Sequence, residues 1–341
     1  MKKYFDLLQK LKKKKYNWLI TGVAGFIGSN LLESLLRLDQ KVVGIDNFST
    51  GKKKNLEIIK SLVSKNQWNN FNFIRADICN FNLCNKACKN IDFVLHQAAL
   101  GSVPRSIIDP ISTNHSNIDG FVNIINAAKN QKVKSFTYAS SSSVYGDHFA
   151  IPKKESKIGN PLSPYAVTKF TNELYAGVFY KNYSFSSIGL IYFNVFGKLQ
   201  DPKGSYAAVI PKWISQISKN QKVLIYGDGN TTRDFCYIEN VIQANLLAAT
   251  AKENAKNHIY NIAVGKSITL LKAYQKIKSL LLINKNKKFS KLFFKSFRNG
   301  DIRHSTASIK KSQLMLGYMP THNFDKGIKE LTSYVINNQK L

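Results

Sequence analysis

Thr21-Gly22-Val23-Ala24-Gly25-Phe26-Ile27-Gly28 follows the apolar run Trp18-Leu19-Ile20, and the reading of this stretch decides the fold. The run suits a short buried strand, and the segment after the glycines, through Leu31, Leu32 and Leu35, has helical apolar spacing. In such a strand, turn and helix, Gly22 permits the tight turn, Gly25 lets backbone approach a pyrophosphate, and Gly28 permits close packing of the helix. The phosphates then meet the unpaired N–H groups of the helix N-terminus. Phe26 and Ile27 belong to the same cradle.

Working outward, Asp46 closes the next apolar run at the spacing where a carboxylate accepts both ribose hydroxyls of NAD, with Asn47 beside it. The same carboxylate repels a 2′-phosphate, so NAD is favoured over NADP, although Lys52 to Lys54 lie nearby. Asp77 and Ile78 follow a third run and are candidates for the adenine side. Gln97, Ala98 and Ala99 follow a fourth and let backbone approach the cofactor. His96, inside that apolar run, reads as a satisfied core histidine.

The rhythm from Asn17 to about Ile191 is that of a doubly wound parallel α/β sheet of Rossmann type. Its six strands are expected at Trp18 to Thr21, Lys41 to Ile45, Phe71 to Arg75, Phe93 to His96, Ser135 to Ala139 and Ser187 to Tyr192. The expected organisation is an N-terminal helix in residues 1–16, a nucleotide domain in 17–197, and a smaller α/β substrate lobe in 198–341, with chain crossings between lobes. Tyr206 to Lys219, Ile238 to Thr250, Lys310 to Leu316 and Lys326 to Ile336 read as helices of that tail; Val223 to Tyr226 and Ile259 to Ile262 read as short strands. Lys2 to Lys15 reads as a basic amphipathic helix laid against the nucleotide lobe.

Composition sets bounds on the rest. The 341 residues, 44% hydrophobic, suffice for a large core, and no apolar stretch has the ~20 residues a membrane span needs. No signal peptide is apparent either, so the cytoplasm is expected. Cys79, Cys84, Cys88 and Cys236 lack paired zinc spacing and read as reduced thiols, with no metal. The formal charge of +30 comes from scattered lysines without a recognised nucleic-acid motif, so they read as solvated surface, and a nucleic-acid or membrane partner is not expected.

Chemistry enters with Tyr165-Ala166-Val167-Thr168-Lys169, where Tyr165 and Lys169 share one helix face behind a Ser163 cap and Pro164 at the first position. A phenol is too weak an acid to act as a base near neutrality unless cations stabilise its phenolate. Lys169 and a positive nicotinamide supply them. Ser140-Ser141-Ser142-Ser143 ends the fifth strand facing the ligand crevice, and Ser141 or Ser142 can pass a substrate proton toward Tyr165.

These motifs, with Tyr192-Phe193-Asn194-Val195-Phe196-Gly197, Gly227-Asp228-Gly229 and Arg233-Asp234-Phe235, resemble the extended short-chain dehydrogenase/reductase family. Within it the chain is similar to bacterial UDP-N-acetylglucosamine 4-epimerases of surface-polysaccharide pathways, over nearly its whole length. The resemblance implies Tyr192 and Val195 at the cofactor, with Tyr165 and Lys169. Toward a UDP-sugar it implies Gly101, Ser102, Ser141, Ser142, Ser143, Tyr165, Asn194, Ala208, Val209, Lys212, Tyr226, Arg233, Arg298, Asp301 and Ser305. Arg233 and Arg298 would fork onto the diphosphate, Tyr226 would stack on uracil, and Asp301 would hold the ribose.

The implied reaction begins with Tyr165 taking the proton of the 4-hydroxyl as hydride leaves carbon 4. Related 4,6-dehydratases set an Asp-Glu pair beside the serines; here the neighbours are serines, and the 4-keto sugar has one exit, return of the hydride on its other face. In relatives confined to unacetylated sugars a bulky residue closes the pocket near Ser305. The small side chain here favours 2-acetamido sugars, with their uronic acids as the alternative. A reductase, a dehydratase and a non-catalytic NAD-binding protein are the rivals. A homodimer is implied, through helices at Ile118 to Lys129 and Tyr165 to Tyr180.

Overall fold

Apolar runs punctuated by glycine and polar turns form the strands, and the parallel pairing between them follows from the helices in between. In the computed structural model, which describes residues 1–203, 208–282, 291–297 and 302–338, β1 spans Asn17–Thr21, β2 Lys41–Asp46, β3 Phe71–Arg75, β4 Phe93–His96, β5 Ser135–Ser141 and β6 Ser187–Tyr192. All pair in parallel. β4 and β6 are buried along their whole length, as strands covered on both faces must be.

A seventh strand corrects the sequence reading. Ile259 to Ile262 was expected in the tail, yet His258–Ile262 pairs in parallel with β6, so the order is His258–Ile262, β6, β5, β4, β1, β2, β3. The helix Ile238–Ala249 makes the crossover, and Tyr260, Asn261 and Ile262 are fully buried at the sheet's end. Periodicity marks a strand but does not say which sheet it joins.

Because β1 has β2 on one side and β4 on the other, the chain direction reverses there, and a crevice opens beyond their carboxyl ends. The helix α2, Phe26–Arg37, leaves β1 through the glycine turn and buries Leu31, Leu32, Leu35 and Leu36 against the sheet. Removing one such side chain to alanine costs about 2–5 kcal/mol.

The N-terminal helix α1, Lys2–Lys13, packs Tyr4 and Leu11 inward, and the element it meets is the helix Ile238–Ala249, which the expected bounds put in the second lobe. It stops two residues short of the expected Lys15, because Lys14 turns to extended backbone. Buried Gln40 ties it down: its Nε2 donates to Leu11 O and Lys14 O, while its Oε1 accepts from Tyr16 N and Trp18 Nε1.

Beyond Tyr192 the chain builds two-stranded ribbons. Val195–Phe196 pairs with Cys236–Tyr237, Thr232–Arg233 with Ile268–Thr269, and Val223–Tyr226 with Leu292–Lys295. The tail helices are Val209–Ser218, Leu270–Leu282 and Phe324–Asn338, and Ser312–Leu316 is a π-turn. The start of the expected helix at Tyr206 lies outside the described residues. Among those residues no helix is long and apolar enough to cross a membrane.

Candidate active site

The glycine turn has the tightness its spacing implies. Gly22 adopts φ +69°, and a Cβ there would lie 2.9 Å from Ala98 N and Cα. A Cβ on Gly28 would lie 2.1 Å from Gly22 O, so helix and turn touch as only glycine permits. Gly25 is the N-cap of α2 and supplies no side-chain cap, leaving the first N–H groups open to an anion.

A cavity of about 280 Å³ extends from this turn, walled by Gly25, Phe26, Ile27, Asp46, Asn47, Asp77 and Ile78, with Gln97, Ala98, Ala99 and Gly101 on the other side. Asp46 accepts from Ala24 N at 2.9 Å and Phe48 N at 2.8 Å, which fixes the carboxylate and leaves further lone pairs for hydroxyl donors. Asp77 accepts from Asn47 Nδ2 and Cys79 N, bonds that hold its carboxyl below the usual range although partial burial opposes them. The uncapped helix end, the glycine cradle and Asp46 fit a dinucleotide.

His96 points away from this chemistry. It is buried, its Nδ1 lies 2.8 Å from Thr21 Oγ1, and burial drives its pKa down to about 3, so it is a neutral core group. Thr21 Oγ1 in turn accepts from Ala98 N, at the cofactor wall.

The cavity continues into a larger crevice of about 880 Å³ at the ends of β4, β5 and β6. Gln97, Ala99, Gly101, Ser102, Ser141, Ser142, Ser143, Tyr165, Lys169, Tyr192, Asn194, Val195, Ala208, Arg233 and Ser305 all line it. Val209, Lys212 and Tyr226 do not. Lys212 stands on the exposed side of its helix, and Tyr226 ends the Val223–Tyr226 ribbon. Arg298 and Asp301 lie outside the described residues.

Local sequence explains the catalytic geometry. Ser163 caps the helix Pro164–Tyr183 by accepting from Ala166 N, and Pro164 opens it, as read from the sequence. The helix carries Tyr165 and Lys169 past the end of β5, where Ser141 hydrogen-bonds the Tyr165 side chain. Ser143 donates to Ser141 Oγ at 3.0 Å. Of the two serines expected to pass the proton, Ser141 is the one whose side chain acts on the phenol.

Lys169 is buried, donates to Ala139 O at 3.0 Å, and holds its Nζ 6.0 Å from the Tyr165 ring centroid. Burial lowers it to about 8, against the pull of Glu173. Burial also raises the Tyr165 phenol, opposed by its bond from Ser141. The cation is thus in place, but the protein's own groups hold the phenol above its ordinary range.

Two supporting residues escaped the sequence reading, and a third, Asp234, stood there only as part of a motif with no role given. Asn245 Nδ2 donates to the Tyr192 hydroxyl, which donates to Gln97 Oε1, and Gln97 Nε2 returns a bond to Asn245 Oδ1, fixing two cofactor-wall side chains. Asn117, in the π-turn His115–Asp119, bonds both backbone groups of Leu100 and the Thr168 hydroxyl, joining the Gly101 loop to the catalytic helix. Asp234 accepts from Val264 N, Gly265 N and Ala307 N. A π-turn is not visible in residue spacing, though it recurs at functional sites.

Exposed apolar side chains beside the catalytic helix include Val167, Leu174 and Val178 on it and Val103, Ile107, Ile108 and Ile111 on the segment packed against it. The helix Gly120–Asn130, also expected at a dimer interface, buries Phe121, Ile124 and Ile125 in the core of its own chain.

Comparison with known proteins places these features in company. The model of the NAD dependent epimerase/dehydratase family matches residues 18–263. A putative UDP-glucose 4-epimerase of Methanocaldococcus jannaschii is 34% identical over 324 residues, covering 94% of this chain and 99% of its own. The UDP-N-acetylglucosamine 4-epimerase of Methanobrevibacter ruminantium M1, solved in complex with UDP-N-acetylmuramic acid, superposes with a TM-score of 0.86 at 36% identity, covering 95% and 99%. The UDP-glucuronic acid 4-epimerase of Bacillus cereus, solved with UDP-glucuronic acid and NAD, gives 0.82 at 32% identity, covering 94% and 99%.

Proposed function

We propose that this chain, which belongs to the NAD dependent epimerase/dehydratase family of extended short-chain dehydrogenases/reductases, interconverts UDP-N-acetylglucosamine and UDP-N-acetylgalactosamine at carbon 4. Its cofactor is NAD and its activity that of a UDP-sugar 4-epimerase; the acetamido substrate is the proposal. The observation that carries it is that Gly101, Ser102 and Ser305, all small, line the same crevice as Tyr165. That lining leaves room for a 2-acetamido group.

Bound NAD supplies the acceptor for the carbon-4 hydride and its return. The chain's residues manage the proton. Ser141, whose side chain acts on Tyr165, bridges the substrate 4-hydroxyl to the phenol, which takes the proton; the Lys169 ammonium, 6.0 Å from the ring centroid, would favour the ionised phenol. Ser140 to Ser143 offer no carboxyl to expel water from the ring. The 4-keto sugar turns its other face, and Tyr165 gives the proton back. Arg233, which lines the crevice, would meet the phosphate oxygens, with Arg298 and Asp301 assigned to the same nucleotide end from the sequence.

One observation favours the uronic acid as a second substrate. Lys153 lines the crevice with Arg233 and Ser305, is 2% exposed, donates to His148 O, and has no carboxylate partner among the described residues. A sugar carboxylate would complete it. The test is to incubate the protein with UDP-N-acetylglucosamine, without reductant, and follow the sugar by proton NMR. Appearance of UDP-N-acetylgalactosamine, reaching the same ratio from either side, is the expected result. No conversion, with turnover of the uronic acid or of UDP-glucose, would reassign the substrate.

A further inference from the structure

The catalytic helix Pro164–Tyr183 carries a third ionisable group that the chemistry above leaves unused. Glu173 lies four residues beyond Lys169, on the same face one turn on, and is buried. Ser140 donates its hydroxyl to Glu173 Oε1 in a short hydrogen bond. The other oxygen, Oε2, has no hydrogen-bond partner among the described residues. Successive β5 residues therefore divide the site: Ser141 serves Tyr165, and the buried Ser140 serves Glu173.

A buried carboxyl with one oxygen unbonded is a costly way to fill space, and an amide or apolar side chain would serve packing better. Its value lies in what it faces. The titratable groups around the pair are Tyr138 of β5, a phenol raised by burial and by Glu173, Tyr145 of the following turn, raised by burial, by Glu155 and to a lesser extent by Glu173, and His96 of β4, neutral. Glu173 is the anion that acts on Lys169, and Lys169 the cation that acts on Glu173. Burial pushes the carboxyl up to about 7 and the amine down to about 8, and their mutual attraction opposes both shifts.

We infer that Glu173 is a positioning residue for the reaction: its carboxylate is the buried counter-charge that keeps Lys169 an ammonium, and Lys169 in turn favours the ionised Tyr165 phenol. This rests on the roles proposed above for Tyr165 and Lys169. Without the carboxylate, burial alone acts on Lys169, which gives up its proton at lower pH. Tyr165 then loses its cation, and turnover falls on the alkaline side.

The test compares the wild-type holoenzyme with Glu173→Gln, which keeps an oxygen for Ser140 but no charge, and with Glu173→Asp as the conservative rescue. Protein labelled with ¹³C at lysine Cε is titrated by NMR, the Lys169 signal being identified by its loss in Lys169→Arg. The Lys169 midpoint and the alkaline limb of the kcat–pH profile should both move down by roughly one unit or more in Glu173→Gln and recover in part in Glu173→Asp. Ser140→Ala, which keeps the charge, guards against misfolding of the first variant and should move neither by as much. An unchanged Lys169 midpoint, or uniform loss of kcat at every pH with the profile unshifted, would overturn the inference. Wild-type protein that converts no UDP-sugar would defeat the functional reading instead, and the NMR midpoint would still decide whether Glu173 controls Lys169.

Discussion

The two ends of the crevice are made in opposite ways. At the cofactor end the phosphate cradle is made by one short stretch through its backbone: Gly22, Gly25 and Gly28 shape one turn, and Ala24 N and Phe48 N lock Asp46 beside it. At the sugar end Ser141, Tyr165, Asn194, Arg233 and Ser305 arrive from five separate stretches and meet only in the folded chain. A site written into one turn is rigid and intolerant of change. One assembled from distant stretches can change its substrate by changing a single side chain.

The largest expected effect follows from breaking the rigid end. Gly28→Ala would set a Cβ 2.1 Å from Gly22 O, backbone against backbone, so α2 or the turn must move. Such overpacking costs roughly 3 kcal/mol. Strain of that size delivered to the phosphate cradle equals about a hundredfold in NAD affinity. Calorimetric titration of NAD, with a melting curve alongside, measures both, and wild-type NAD affinity in Gly28→Ala would mean that the cofactor does not sit on this turn.

The assembled end is probed by Ser305→Tyr, which should leave NAD affinity alone and narrow the sugar pocket. Excluding the acetamido group should lower kcat/KM for UDP-N-acetylglucosamine relative to UDP-glucose by roughly 10–200-fold, the range available to steric discrimination in a pocket. An unchanged ratio would show that the acetamido group lies elsewhere.

The same contrast explains what the sequence revealed. The cradle was legible because spacing alone defines it, and so was the Ser163-Pro164 start of the catalytic helix, whose cap and first residue stand in order. The strands from β1 to β6 were legible because they are short apolar runs between turns, most of them buried; the edge strand β3 showed itself by alternation instead. His258–Ile262 was recognised as a strand but not as part of the main sheet, since its place depends on the crossover helix and its buried faces. Gln97 was visible as a cofactor-wall residue; Asn245, far along the chain, which fixes it, was not. Glu173 stood in plain view one turn past Lys169, but its burial and its bond to Ser140 exist only in the fold.

The smallest of these effects concerns what holds the sugar end together. Asp234 is fully buried between Arg233 and Phe235, and its carboxylate accepts from Val264 N and Gly265 N, each at 3.0 Å, and from Ala307 N at 3.2 Å. Its carbonyl accepts from Asn194 Nδ2. One residue thus joins the stretches that carry Asn194, Arg233 and Ser305. In Asp234→Asn an amide NH₂ must face at least one of those N–H groups, and a buried donor left unbonded costs about 1–3 kcal/mol. KM for the UDP-sugar should rise about tenfold while NAD affinity holds. The pH dependence separates this from general damage. Burial raises the Asp234 carboxyl from 3.8 to about 6, outweighing the three N–H bonds that lower it. The folded chain therefore holds a proton there that the unfolded chain has released, so this carboxyl stabilises most below pH 3.8 and loses that contribution as pH rises through about 6. Asparagine does not titrate, so the stability of wild type relative to Asp234→Asn, from urea unfolding, should fall between those two pH values and level off above them. A flat difference with KM unchanged would mean that the sugar end is held by its separate loops and not by one buried carboxylate.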